Sequence, residues 1–449
     1  MRPIVWGAVF VLCLAAAPPA AAQQPPAPGP GSAVPPAVAR ALAQPLTVEL
    51  AVAIALDTQP QIQARLADYV AASHRVDQAF SPLLPQIFGS VTTARSESSG
   101  LSTSVFNGQT TAVTRSRSFE ETTVARVSLS QVLFDFGKTF ASTEAARRVA
   151  EVAQEDVELQ RQLIALAVKE AFININFAQR LIRVQEQAVE RADLNLRSAR
   201  GFFDVGTRPK SDVARAEVDV ANARVDLIRA RNAERLSRVA LNTAMGIPVD
   251  TPTQVQDILV YAPTGLERAQ LIGEALRQRP ESRQVRLQVE EAEARARRAF
   301  RDFFPDITAN AFYGGTRSDL DGIWEVGLAL SWTLFDGGNR IARFREAKAL
   351  VDGAEARVRA SDLDIAREVE QAQITVQEAE ERIQAAQVAV ASAQENFRLA
   401  QGRFDAGVGT ILELTDAQLF LTQAQNTEAQ ALADYRIAMA RLERAIGRR

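Results

Sequence analysis

The sequence predicts an α+β membrane protein in which two tandem repeats each combine a β-hairpin with long helices. The duplication appears at three landmarks whose copies lie 201 residues apart: Leu133-Phe134-Asp135-Phe136-Gly137 and Leu334-Phe335-Asp336-Gly337-Gly338, Phe203-Asp204-Val205-Gly206 and Phe404-Asp405-Ala406-Gly407, and Met245-Gly246 and Ile446-Gly447. No net insertion separates these copies across about 110 residues, whereas before the hairpins the offset is 220, as between Pro85 and Pro305, so the first hairpin is 19 residues longer than the second. We expect repeats at about 46–246 and 266–447, joined by a linker at 247–265.

The N-terminus has the pattern of an export signal. Residues 1–22 carry a positive charge at Arg2, an apolar run and the small residues Ala20-Ala21-Ala22 before a cleavage point. A transmembrane anchor is the alternative, but the apolar run is too short and prolines end it. Residues 23–45 are rich in Pro and Ala and predict an extended leader. The only cysteine, Cys13, lies in the signal segment without the small preceding residue that lipid attachment needs, so we expect no lipid anchor.

The second-repeat hairpin, at about 306–334, is the most informative segment. From Ile323 to Leu334 the residues alternate, and one face carries only large apolar side chains: Trp324, Val326, Leu328, Leu330 and Trp332. A strand of a soluble protein also alternates. The two tryptophans, however, lie about 26 Å apart along a strand, at ~3.3 Å per residue, which suits aromatic girdles flanking a bilayer. The other face is small and polar, which suits a wet lumen. We therefore predict that the apolar face contacts lipid.

The first-repeat hairpin, at about 86–133, has a weaker pattern. We expect its strands at 86–94 and 122–133, with a long exposed loop rich in Ser, Thr and Gly at 95–121. One chain then supplies four strands, and open strand edges are not tolerated in lipid. The chain is therefore expected to oligomerise, with eight strands from two copies or 12 from three.

Long helices are predicted after each junction, at about 139–203 and 340–404. Their apolar residues recur at multiples of three, four and seven, as in a coiled-coil seam. At ~1.5 Å per residue, each helix is roughly 98 Å long. Return helices are expected at about 211–245 and 410–446. A free-standing coiled coil is the alternative, but it does not account for the hairpins that the helices flank.

The composition argues against catalysis and against nucleic-acid binding. Lys and Arg number 51 against 54 Asp and Glu, so the chain has no basic excess for nucleic acid. The single histidine, His74, lies on a predicted amphipathic helix and is expected to be a surface or packing residue. Gly337-Gly338 lacks the pattern of a phosphate loop. We expect no enzymatic activity, no metal site and no cofactor.

Taken together, the landmarks resemble those of the TolC-like outer-membrane efflux proteins over essentially all of the mature sequence. The resemblance rests on the duplication, the two Leu-Phe-Asp junctions, Ser211-Asp212-Val213 after the first turn, and Glu413 and Asp416 after the second. It implies a homotrimer with a 12-stranded outer-membrane β-barrel continuous with a long periplasmic α-helical barrel. It also implies an outer-membrane duct that extends into the periplasm and serves a tripartite efflux or type I secretion system, with a periplasmic adaptor (membrane fusion protein) and an inner-membrane transporter as partners.

The chain departs from the best-known members of that family in the second turn. It has Phe404 where they carry tyrosine and Gly409 where they carry arginine, so hydrogen bonds through those two groups are not available to close the tip. The alternative function is a structural or adhesive outer-membrane coiled-coil protein without transport. A soluble adaptor coiled coil is disfavoured because it would lack the hairpins.

The periplasmic tip supplies the remaining candidate residues. We expect the turns Asp204, Val205, Gly206 and Asp405, Ala406, Gly407 to reverse the chain and to contact the adaptor. Glu413 and Asp416 are one helical step apart, and threefold symmetry would bring six carboxylates into a pore constriction that favours cations. Solvated charges outside the ring of helices are the alternative.

Overall fold

The computed structural model of the chain describes residues 44–261, 268–316 and 322–448. The expected signal peptide and nearly all of the leader lie outside the described residues, as does the end of the expected linker. The helices and strands follow in this order: α1 Val48–Thr58, α2 Pro60–Phe80, a 3-10 turn Ser81–Leu83, β1 Gln86–Phe106, β2 Gln109–Phe134, α3 Lys138–Asp204, α4 Lys210–Met245, α5 Arg268–Gln278, α6 Pro280–Arg301, β3 Asp306–Thr316, β4 Gly322–Ser331, α7 Asn339–Asp405 and α8 Ile411–Ala445.

The four strands form one antiparallel sheet in the order β1-β2-β3-β4. The register aligns Ile87 with Leu129, Leu129 with Ala311, and Ala311 with Val326. Side chains of directly paired residues point to the same face of a sheet, so this row is an apolar stripe across all four strands. The adjacent row, Gln86, Ser130, Asn310 and Gly327, lies on the opposite face.

The prediction of a long loop at 95–121 was wrong. Strands β1 and β2 stay paired to Phe106 and Gln109, and the two-residue turn Asn107-Gly108 joins them. Both turn residues have positive φ, 50° and 76°, as the tight hairpin turns that match strand twist require. Asn-Gly is a strong signal for such a turn, and Thr is favourable in strands, so a segment rich in Ser and Thr around Asn-Gly is compatible with a paired hairpin. The hairpin therefore extends as a ribbon beyond the end of β3.

Two aspartates make the corners where strands turn into helices. The Asp135 carboxylate accepts from the backbone N–H groups of Gly137 at 2.9 Å and Thr139 at 2.6 Å. The Asp336 carboxylate accepts from Gly338 at 3.2 Å and Arg340 at 3.0 Å. Each caps the N-terminus of a 67-residue helix, whose first N–H groups have no partner inside the helix. The Leu-Phe-Asp junction thus encodes a compact change of direction.

Asp135 is the more strongly held of the two, since it is only 5% exposed. Burial would raise the pKa of its carboxyl, but hydrogen bonds from Thr139 and Gly137 and the charge of Lys138 outweigh burial and lower the pKa. Lys138 also joins the corner to the sheet, because its Nζ donates to Asp306 Oδ1 at 2.7 Å and to the carbonyl of Phe304 at 2.8 Å.

The first corner holds a non-glycine residue in the left-handed region. Phe136 has φ 54°, and its counterpart in the second repeat, Gly337, has φ 70°. A side chain is unfavourable there, so packing must compensate. The Phe136 ring stacks on Phe304 with centroids 5.3 Å apart and meets Phe134 edge-on at 4.7 Å. These contacts account for an aromatic residue where the second repeat uses glycine.

The helices pack side by side in a single layer. α3 and α7 run the length of the layer; α2 and α6 flank their halves near the sheet, and α4 and α8 flank the far halves. α1, α5 and the linker pack against the middle of the long helices and bury what we call the mid-helix core, whose largest buried members include Phe172, Ile175, Leu241 and Tyr435. Among the described residues, no helix combines the length and apolarity needed to span a bilayer.

A charged network lies beside the mid-helix core. The buried Arg279 donates to Glu368 at 2.6 Å and to Glu281 at 2.7 Å, and Arg444 donates to Glu281 at 2.9 Å. Burial would raise the pKa of Glu281, but the hydrogen bond and charge of Arg279 and the charge of Arg444 outweigh it and lower the pKa. The network ties α6, α7 and α8 together at one level.

Replacing the corner carboxylate tests how far the fold depends on it. Asp135→Ala should destabilise the corner between β2 and α3 of each protomer by about 1–2 kcal/mol, because two helix N–H groups lose their acceptor. The expected result is a lower melting temperature of the purified trimer. Asp135→Asn is the matched comparison and should be less unstable than Asp135→Ala, since its amide oxygen still accepts from one of the two N–H groups while its NH2 group cannot accept from the other. The more exposed Asp336→Ala should cost less than Asp135→Ala. An Asn variant as unstable as the Ala variant would contradict the capping role.

Candidate functional sites: the sheet surface and the helical tip

The sheet has one apolar and one polar surface. The predicted lipid-facing residues Trp324, Val326, Leu328 and Leu330 are strongly exposed on β4, with Leu328 at 74%. Paired with them on the same surface are Tyr313 opposite Trp324 and Ile307 opposite Leu330. β4 ends at Ser331, so Trp332 lies just past the strand, where its Nε1 donates to the carbonyl of Phe303 at 3.1 Å.

Polar contacts hold the opposite surface of the sheet. Ser130 Oγ donates to Asn310 Oδ1 at 3.0 Å across β2 and β3. The Arg126 guanidinium lies 5.4 Å from the centre of the Phe312 ring. On β4 this surface carries residues with a small side chain or none, such as Ala329 and Gly327, so little side-chain volume projects from it. The sheet is therefore apolar on one side and hydrophilic on the other.

Both sides of the single chain are left incomplete. β1 and β4 are the outer strands, and each has one unpaired edge. α4 and α7 are the outer helices away from the sheet, as α2 and α7 are near it. Both α4 and α7 expose apolar stripes: Val218, Val225, Ile228, Leu236 and Val239 on α4, and Leu363, Ile374, Val388 and Leu399 on α7. Copies of the chain placed side by side would pair the strand edges and cover the stripes together.

Two glycine turns form the end of the helical layer away from the sheet. Gly206 and Gly407 both have φ 75°, and their N–H groups donate back to Phe203 at 2.9 Å and Phe404 at 3.0 Å. This is the left-handed closure in which glycine replaces a strained side chain. Asp204 and Asp405 are the last residues of α3 and α7, followed by Val205 and Ala406. The chain therefore reverses at the predicted turns.

Arg208 joins the two turns of one chain. Its side chain is only 12% exposed, and Nη2 donates to the Gly409 carbonyl at 2.6 Å. The guanidinium lies 4.2 Å from the centre of the Phe404 ring and 5.6 Å from that of Phe202. A cation held between two rings and a carbonyl connects the first turn to the second.

The sequence reasoning missed Arg208 although the duplication contains the signal. Arg208 and Gly409 occupy equivalent positions 201 residues apart. A Cβ on Gly409 would come within 2.9 Å of the Arg403 Cβ, so the second turn has no room for a side chain there. The second turn has no arginine at position 409. Instead, Arg208 of the first turn donates to the Gly409 carbonyl and lies over the face of the Phe404 ring.

Glu413 and Asp416 lie on the exposed face of α8, opposite the buried Leu414 and Ala417. The backbone N–H of Glu413 donates to the Thr410 hydroxyl at 3.2 Å, so the residue also belongs to the start of the helix. The Glu413 carboxylate lies 3.5 Å from Arg403 Nε, whereas no ion pair of Asp416 occurs among the described residues. Of the two, Asp416 carries the less compensated charge.

A family model described as "Outer membrane efflux protein" matches residues 51–247 and 271–448. The chain belongs to this family. It is 25% identical over 416 residues to the alkaline protease secretion protein AprF of Pseudomonas aeruginosa, covering 87% of this chain and 82% of that protein. It is 24% identical over 341 residues to nodulation protein T of Rhizobium leguminosarum bv. trifolii, covering 73% and 72%.

Solved structures share the fold. The Campylobacter jejuni CmeC outer membrane channel aligns with TM-score 0.74 and 17% identity, covering 89% of this chain and 85% of that one. A CusC structure aligns with TM-score 0.75 and 19% identity, covering 90% and 92%. These likenesses confirm the predicted fold class, a trimeric β-barrel continuous with an α-helical barrel.

Family membership also confirms the predicted function, location and partners. The chain is an outer-membrane channel of the efflux and secretion type that extends into the periplasm. Its four strands are one third of a 12-stranded barrel in the homotrimer. Channels of this family work in tripartite systems with a periplasmic adaptor and an inner-membrane pump.

The Arg208 contact can be tested by local exchange. Arg208→Ala should weaken the contact between the turns by about 2 kcal/mol, through loss of a charged hydrogen bond and a cation–π contact. Amides of residues 405–410 should then exchange hydrogen for deuterium roughly thirtyfold faster. Arg215→Ala, at an exposed position further along α4, is the control and should leave the exchange unchanged. Equal exchange in wild type and Arg208→Ala would show that this arginine does not hold the turns together.

Proposed function

We propose that cargo crosses this channel along one continuous lumen, lined in the membrane by the polar surface of the sheet. In this arrangement Trp324, Val326, Leu328, Leu330 and Trp332 contact lipid, the tip turns contact the adaptor, and Glu413 and Asp416 form the constriction. The proposal rests on the observation that one surface of the sheet is apolar and the other is polar. We also propose that the channel has no enzymatic activity of its own, because its family and fold are those of channel proteins.

The lipid-facing assignment rests on the continuity of the apolar surface. The stripe crosses all four strands through Ile87, Leu129, Ala311 and Val326, so it is not a local patch. Lipid is the environment that accepts a continuous apolar band on the outside of a barrel, with a polar interior. The polar pair Ser130 and Asn310 lies on the other surface.

Arginine substitutions at two adjacent positions separate the surfaces. Leu328→Arg should cost about 2–4 kcal/mol, because it places a charge at mid-bilayer depth, and should reduce assembled trimer in the outer membrane. Gly327→Arg is the matched control: nothing lies within 4 Å of a Cβ added there, and the side chain would enter the lumen. The measurement is heat-modifiable trimer in outer-membrane fractions. If the two variants gave equal amounts of assembled trimer, the assignment of Leu328 to the lipid-facing surface would be wrong.

Adaptor contact at the tip is supported by the exposure of apolar side chains on the turns. Val205 is 72% exposed and Val408 is 71% exposed, although both sit beside hydrogen-bonded turns. The remaining turn residues, Asp204, Gly206, Asp405, Ala406 and Gly407, hold these side chains in a fixed backbone frame. Exposed apolar groups on a rigid frame are typical of protein contacts.

The constriction proposal combines exposure with symmetry. Glu413 and Asp416 share the exposed face of α8, and three copies would place six carboxylates around the axis. Arg403 lies 3.5 Å from Glu413 and partly neutralises it, so Asp416 should dominate the potential. Cations would then be favoured at the tip.

Conductance in planar bilayers tests the constriction. Wild type should pass small cations preferentially, and di- or trivalent cations added at the tip side should block it. Glu413→Gln with Asp416→Asn should weaken both effects at unchanged trimer yield, and Asp416→Asn alone should account for most of the change, because Glu413 has a neighbouring arginine. Unaltered selectivity and block in the double variant would place both carboxylates outside the pore.

A further inference from the structure

An aromatic groove lies between α6 and α7 directly below the sheet. Its main residues are Phe136, Phe300, Phe304, Phe344, Arg297 and Lys348. The rings contact one another: Phe300 lies 5.7 Å from Phe344 and 5.9 Å from Phe304, and Phe304 stacks on Phe136. We call this the α6–α7 groove. None of the channel roles described above uses it.

The groove opens on the side of the apolar surface of the sheet. Trp332, which continues the apolar alternation of β4, donates to the carbonyl of Phe303 beside the groove. Lys138, by contrast, pairs with Asp306, whose strand partner Ser331 belongs to the polar surface. The groove therefore continues the surface proposed to face lipid, at the level where the strands end.

The charges along the groove are ordered by distance from the sheet. On α6, Arg297 and Glu293 follow one another away from the sheet; on α7, Phe344, Lys348 and Asp352 do so. Arg301, one turn nearer the sheet than Arg297, is already engaged by the Gly137 carbonyl. Apart from it, both helices present rings nearest the sheet, cations next and carboxylates farthest away. This order matches an anionic phospholipid whose acyl chain points towards the membrane, against the rings, and whose phosphate lies farther from the membrane centre, beside the cations.

The two cations differ in how far they are already engaged. Arg297 lies 3.0 Å from Glu144 and 3.6 Å from Glu293 and is partly exposed. Lys348 is exposed, its Nζ lies 5.5 Å from the centre of the Phe344 ring, and no ion pair of Lys348 occurs among the described residues. Lys348 therefore has donors available for an anion, and Arg297 presents a planar fork suited to phosphate.

The first repeat has only part of this arrangement. It keeps a ring, Phe80, at the position equivalent to Phe300, and a cation, Arg147, at that of Lys348. At the positions equivalent to Arg297, Arg301 and Phe344 it has Asp77, Ser81 and Thr143. The helices α2 and α3 nevertheless pack beside the sheet as α6 and α7 do. Packing of the repeat therefore does not require the Arg297 cation or the Phe344 ring.

We propose that the α6–α7 groove binds one anionic phospholipid of the periplasm-facing leaflet per protomer. The acyl chain lies on Phe300, Phe304 and Phe344, and the phosphate binds Arg297 and Lys348. Juxtamembrane cations attract anionic headgroups, and their effect is local to the membrane surface. The proposal rests on the proposed lipid-facing side of the sheet, whose failure would appear separately as equal tolerance of arginine at positions 327 and 328.

Native mass spectrometry of the detergent-solubilised trimer tests the proposal. Phosphatidylglycerol should bind at up to three molecules per trimer, more tightly than phosphatidylcholine with the same acyl chains. Arg297→Gln with Lys348→Gln should weaken phosphatidylglycerol binding roughly fivefold for each cation removed. Arg147→Gln, at the equivalent position of the first repeat, is the control and should bind as wild type does.

A further variant tests the acyl chain separately. Phe344→Ser should also weaken phosphatidylglycerol binding while trimer yield stays unchanged. The proposal is overturned if phosphatidylglycerol and phosphatidylcholine bind equally, or if Arg147→Gln loses as much affinity as the double variant. Undiminished binding in Phe344→Ser would overturn it as well, because the headgroup would then be held at the surface without the groove.

Discussion

A strand that crosses lipid must pair every backbone N–H and C=O group, because the hydrocarbon layer supplies no water as an alternative partner. In one chain, β1 and β4 each keep an unpaired edge, and the outer helices α4 and α7 expose apolar stripes. The homotrimer removes both defects at once, provided that strands and helices keep the same order around the ring. Asp135 and Asp336 secure that order, since each turns a strand into a capped helix within a few residues.

The duplication gives two copies of one plan, and the places where the copies differ are the places where the channel is specialised. Gly409 stands where the first repeat has Arg208, and this difference lets one arginine join both turns. Phe136 stands where the second repeat has Gly337, and its strained backbone is offset by stacking on Phe304. Asp77 occupies the position in the first repeat that is equivalent to Arg297. Differences of this kind break the sixfold pseudo-symmetry of a trimer of duplicated chains into true threefold symmetry.

Local pattern was enough to predict much of this architecture. Alternation in the second repeat marked a strand at 323–334, where β4 spans Gly322–Ser331, and the spacing of the landmarks marked the two equivalent repeats. Composition misled at 95–121, where a Ser- and Thr-rich segment forms paired strands around Asn107-Gly108. The Arg208 contact was out of reach of local reasoning because its partners Phe404 and Gly409 lie 196 and 201 residues away along the chain. The pore position of Glu413 and Asp416 depends on neighbouring protomers, and it stays a prediction.

Cohesion between the helices is unequal along the channel, and this bears on where it can open. The mid-helix core buries large side chains from many elements and is joined by the network of Arg279, Glu281, Glu368 and Arg444. Towards the tip, α3 and α8 meet through polar pairs such as Asn195 with Gln418, and the last apolar cluster is small, around Phe404 and Leu414. Polar contacts between helices can be exchanged for water at little net loss of free energy, whereas a packed apolar core cannot. Separation of the helix pairs should therefore start at the tip and stop at the mid-helix core, and it must first break the Arg208 contact that joins the two turns of a chain.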